Sequence, residues 1–198
     1  MATSRGDVCL SANCHPFLFP DCLLTRIYSG IMGEIHDSRF TIHDSKSMLL
    51  DFLTSKYKHL VDEGWGAFEA GNHSRAEEHF RAVLAVHDDR HMTVFDLADA
   101  HNGLGAIHLF HKDFFEATRW YKEAHHLLSE HYGETWPEKL SWHNPHDRPP
   151  MRTLMGLGNV CAHNPKKKKE AEKFYRQLLA ADPNDELGAK GLLEKLAE

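Results

Sequence analysis

Seventeen histidines and four cysteines are the residues of this chain that could do chemistry, and metal binding or proton transfer is the chemistry they would do. His108 and His111 lie three apart and His87 and His91 four apart, spacings that set two imidazoles on one helical face toward a metal ion. No such pair encloses a glutamate in an H-E-x-x-H arrangement, and none is joined to a cysteine at finger spacing. Solvated or packed histidine is therefore expected, and no metal site is assigned. Cys9, Cys14, His15 and Cys22 crowd four soft ligands into one short stretch, yet their spacings match no zinc ribbon. The sequence also lacks a G-x-S-x-G elbow, a glycine-rich phosphate loop and a Cys–His signature. Cys161 stands alone in a helical pattern and reads as a small apolar packing residue. No catalytic residue and no cofactor is expected, and the chain reads as a non-enzyme.

The totals narrow the partners. A formal net charge of -6 over 198 residues argues against nucleic acid, which binds through excess Lys and Arg. No stretch approaches the ~20 apolar residues of a membrane span, and the N-terminus lacks the basic, apolar, small-residue order of a secretory signal. Three clustered cysteines and one isolated one do not read as a disulfide framework, so a reducing, cytoplasmic setting is expected.

Composition changes along the chain. Residues 1–44 hold three of the four cysteines and show no sustained period, and they read as a poorly ordered extension; Met32 and Met48 are alternative starts. Residues 45–198 read as helix nearly throughout. Turns are expected at Gly71-Asn72, through a Pro- and Trp-rich insertion over 133–150, at Asn164-Pro165 and at Pro183-Asn184. Ser74 followed by Glu77 has the form of a capping box and predicts a helix start at that serine.

One unit recurs. Gly64, Gly105 and Gly158 are each followed twelve or thirteen residues later by Ala76, Ala117 or Ala171, and four residues on by Phe80, Tyr121 or Tyr175. That spacing puts a small and a large residue on one helical face, where the small pair admits a second helix and the ring fills the space beside it. The pattern resembles the tetratricopeptide repeat: Leu104-Gly105, Ala117, Tyr121 and Ala124 match in the second copy, and Leu157-Gly158, Ala171, Tyr175 and Pro183 in the third. The first copy keeps Gly64, Gly71, Ala76 and Phe80 but has Glu63 and Asp88 where Leu and Pro are expected. The 41-residue step from Gly64 to Gly105 and the Gly133 to Pro137 turn resemble the longer repeats of the kinesin light chain type.

The resemblance implies an all-α, right-handed solenoid of about three helical hairpins, near 57–90, 98–131 and 151–185, with a capping helix over 185–198. It also implies a function, a non-catalytic adaptor or scaffold that holds a peptide or helix of a partner protein in a concave groove. Counting from each glycine, the groove positions are Lys58, Val61, Trp65, Phe68 and Glu69, then Asp99, Asn102, Ala106, Leu109 and Phe110, then Arg152, Met155, Asn159, Ala162 and His163. Of these, Lys58, Val61, Trp65, Phe68, Asn102, Leu109, Phe110, Arg152, Met155 and Asn159 are taken as the partner-binding set. Burial of individual rings in the core is the competing reading. The carboxylate clamp that grips chaperone C-termini is not expected, since Val61, Trp65 and Ala106 stand where it needs polar residues. Trp136 and Trp142 are either anchors of the insertion or an exposed contact site, and Lys166 to Lys169 form an exposed basic turn. Two readings stay open beside the adaptor: a histidine-based metal or pH sensor on the same solenoid, and homo-oligomerisation through the groove.

Overall fold

The computed structural model describes residues 57–87, 89, 91–133 and 135–197; the expected extension 1–44 lies outside them. The described residues form seven α-helices and no strand. We number them α1 (helical over 57–69), α2 (His73–Leu84), α3 (Val94–Phe110), α4 (Phe114–Tyr132), α5 (Arg148–Ala162), α6 (Lys168–Ala181) and α7 (Ala189–Ala197), with a 3-10 turn at Pro165–Lys167 before α6.

Local chemistry sets the ends. α1 stops because Gly71 adopts a left-handed φ of 77°, a conformation that costs a residue without Cβ little. The Asn72 amide then closes back on the Ala67 carbonyl at 2.9 Å. The capping box expected at Ser74 is corrected: Asn72 is the cap, its side chain accepting from the Arg75 amide, and Glu77 reaches forward to Arg81 at 2.7 Å. The helix begins at His73 because the asparagine carboxamide reaches the free amides first. Thr93 and Asp113 cap α3 and α4 by the same bond to the third residue on. The expected insertion also shortens, since Pro149 and Pro150 lie inside the first turn of α5, where a missing N–H costs nothing.

The rings bind the helices together. Phe80 on α2 fills the notch at Gly64 of α1 and at Gly103 of α3, where an added Cβ would lie 2.6 and 2.3 Å from ring carbons. Tyr121 on α4 repeats this between Gly105 of α3 and Gly156 of α5, with corresponding distances of 2.9 and 2.1 Å. Each ring thus packs on its own helix pair and on the first helix of the next. Tyr175 on α6 packs on Gly158 and donates its hydroxyl to Asn159 at 2.8 Å. α3 packs against α2, α4 and α5, which explains its apolar residues on every side.

The segment over 135–147 folds back on the last helices. Its Leu140 is buried with Met151, Leu154, Tyr175 and Leu178, and its amide donates to the Ala181 carbonyl at 2.8 Å. Leu187, Leu192, Leu193 and Leu196 pack on the same cluster, so α7 and its lead-in cover the apolar end of the stack.

Candidate functional site

Three first helices, α1, α3 and α5, converge on Arg152. Its guanidinium lies over the Trp65 ring of α1 at 4.0 Å and over the Trp142 ring at 4.8 Å, and it pairs with the Asp99 carboxylate of α3. A guanidinium is flat and weakly hydrated enough to lie between two indoles while still donating in its own plane. Trp142 is held there through its backbone: Arg148 at the start of α5 donates to its carbonyl at 2.8 Å, and Glu186, ahead of α7, accepts from its amide at 2.6 Å. Asp99 is buried. Burial pushes its carboxyl up to about 6, against the pull of Arg152 and of the Trp65 and Asn102 side chains that face it.

Beneath this cluster lies a buried polar contact. Asn102 donates to the Pro149 carbonyl at 2.9 Å, and the Thr153 hydroxyl lies within hydrogen-bonding reach of both that carbonyl and the Asn102 oxygen. The remaining space between Lys58 and Val61 of α1, Phe95 and Asp96 of α3, and Pro145 and His146 is about 40 Å³, room for about one water.

The expected groove residues therefore fall into three groups. Lys58, Val61, Trp65, Asn102 and Arg152 come together here, with Val61 and Asn102 in the core. Phe68 and Phe110 meet around His73, which stacks on the first at 5.1 Å and meets the second edge-on at 4.2 Å. Phe110 stays 63% exposed. Leu109 packs with Tyr121 and Leu157, Met155 packs on the cluster of Tyr175, and Asn159 holds the Tyr175 hydroxyl. Trp142 was not among the expected groove residues, although the Trp in a Pro-rich insertion was the available signal. Trp136, the other ring of the insertion, stacks on His125 at 5.0 Å.

The histidines are spread out. His108 faces Asp113 at 3.4 Å, His111 meets His73 edge-on, and His87 contacts the Leu84 carbonyl. Burial pushes His101 and His125 toward the neutral form. Among the described residues no group of three or more His, Cys, Asp or Glu could hold a metal ion. Cys161 is buried, and its thiol is pushed up by that burial and by Glu170, which disfavours the reactive thiolate. None of the described helices is long and apolar enough to cross a membrane.

A family model described as tetratricopeptide repeat matches residues 61–126. The matched segment runs from α1 into α4 and contains both glycine partners of Phe80. It supports the tetratricopeptide repeat family, whose members are in general non-catalytic modules of protein interaction. Comparison with curated proteins and with solved structures gives no match.

Proposed function

We propose that the chain is a non-catalytic adaptor, a right-handed solenoid of three repeats that receives a peptide or helix of a partner protein along α1, α3 and α5. The family match over residues 61–126 is the observation that carries this reading. The contact residues are Lys58, Trp65, Phe68, Leu109, Phe110, Arg152, Met155 and Asn159, with Val61 and Asn102 as the floor beneath them. Phe110 supports the choice of face, because a large apolar ring 63% exposed beside Phe68 and His73 gives a partner something to cover. The 17- and 19-residue lengths of α3 and α4 favour the longer repeat of the kinesin light chain type. A cytoplasmic scaffold is the setting we infer.

The test is capture of partners from a lysate by the wild type beside a Lys58→Glu, Phe110→Ser variant. Both positions are exposed, so circular dichroism should show equal helicity. A protein retained by the wild type and lost by the variant is expected. Equal capture by both would overturn the groove assignment, and capture of the chain by itself would turn the reading to a homo-oligomer.

A further inference from the structure

The edge that carries the turns within helix pairs holds a second concavity, away from the Arg152 cluster. It lies between the start of α4, with Phe114, Phe115 and Thr118, and the end of α5 with its 3-10 turn, where Val160, Cys161, His163 and Lys167 face it. Its volume is about 450 Å³, the scale of a small binding cleft. The local sequence explains its shape. Phe114 turns inward to meet the His163 ring at 4.4 Å, while Phe115, one residue on, points outward and is 79% exposed, the most exposed of the large apolar residues described. Val160 and Cys161 are buried beneath, and the neutral thiol keeps the floor apolar.

Lysines stand on the walls and rim, while the acid Glu170 has the larger effect at the Cys161 floor. Lys167 lines the cleft, Lys122 lies one turn along α4 from Thr118, and both act electrostatically on the Cys161 thiol. Lys166 is exposed beside them. No ion pair among the described residues holds these three lysines, whereas of the nearby acids Glu116 pairs with Arg119 at 2.9 Å, Asp113 lies at His108, and Glu170 accepts from the Cys161 thiol. Lys168 is turned away toward the Leu196 carbonyl. A cleft with an apolar floor, an exposed ring at its mouth and unpaired ammonium groups on its rim fits an apolar side chain flanked by carboxylates. An anionic membrane fits less well. A concavity gives a flat lipid surface little to cover.

We propose that this cleft is a second docking site, which takes one large apolar side chain from a partner protein segment whose neighbouring residues are Asp or Glu. It is independent of the groove: either site can stand if the other fails. The test is selection from a random displayed peptide library on the full chain. Wild type is expected to enrich peptides with an aromatic or Leu anchor next to acids. A synthetic peptide from that pool should bind more weakly as salt rises, and lose about tenfold or more in affinity to a Phe115→Ser, Lys167→Glu variant. It should bind the Lys58→Glu, Phe110→Ser variant as it binds wild type. On unaltered protein, the same peptide with Lys in place of its acids should fail to bind, a readout that does not depend on a variant folding. Enrichment without acids, or peptides that bind the Phe115→Ser, Lys167→Glu variant equally well, would overturn the proposal. So would Phe115-dependent sedimentation with phosphatidylserine vesicles that the peptide does not compete, or a dimer that Phe115→Ser dissociates.

Discussion

Phe80 and Tyr121 join consecutive helix pairs by shape, whereas Arg152 joins the same helices by charge. The ring contacts place an aromatic disc against two glycines, so shape dominates their selection, and the one polar atom they bury is the Tyr121 hydroxyl. At Arg152 a cation, a buried carboxylate and two indoles must all be in place together, and the burial that strengthens the pairing also penalises the ionised Asp99. The rings are thus expected to supply most of the stability of the stack. The Arg152 cluster is expected to hold the 135–147 segment in position at small net gain.

The largest effect should come from the rings. Tyr121→Ala should cost about 3–5 kcal/mol in urea denaturation, and Gly156→Val, which drives a side chain into the same ring, should also destabilise strongly; a loss below about 1 kcal/mol for both would break the contrast. Arg152→Ala should cost less, about 2–3 kcal/mol, because the buried Asp99 carboxyl left behind can take up a proton instead of remaining charged and unpaired. It should also shift tryptophan emission to the red as Trp65 and Trp142 lose their cover, and Arg152→Lys should restore only part, since an ammonium cannot stack flat.

A third expectation concerns pH. Asp99 has a folded value of about 6, above its ordinary 3.8, so the folded state binds that proton more tightly than the unfolded chain does. Its contribution is fully present below the unfolded value and is lost as pH rises through about 6. Asp99→Asn, which mimics the neutral form, should therefore be more stable relative to wild type at pH 8 than at pH 5, by about 1 kcal/mol. Parallel stability curves for the two proteins would show that Asp99 is not ionised at a cost. Smallest of all, Phe110→Ser and Phe115→Ser should each change stability by less than about 0.5 kcal/mol, because both rings are largely exposed.

The ring contacts were half legible in the sequence. The Gly–Ala–aromatic spacing identified one glycine for each ring and the helix pair it closes. The second glycine was also present in the letters, as Gly103-Leu-Gly105 and Gly156-Leu-Gly158, in which the earlier glycine receives the ring of the preceding pair and the later one its own. The first copy has Asp62 at the earlier position. Reading one anchor per copy hid this, since a contact between successive pairs joins residues of different copies. The Arg152 cluster was less legible for a physical reason. Trp142 reaches Arg152 only because the segment before α5 is pinned by Leu140, Glu186 and Arg148, bonds that no periodicity encodes. The groove count placed Trp65, Asp99 and Arg152 on the groove-lining helices, yet it could not show that Arg152 would pair with Asp99 over the Trp65 ring and leave Phe110 as the most exposed ring of the set.

The interlocked rings also set an order for synthesis. Phe80 has no complete seat until Gly103 has left the ribosome, and Tyr121 none until Gly156 has followed. A nascent chain that stops between them leaves an aromatic ring with one of its two glycine seats missing. The structure thus grows as a zip whose open tooth is always the last ring made, and Tyr175, whose hydroxyl is met by Asn159 of the helix before it, is the tooth at which the zip can stop.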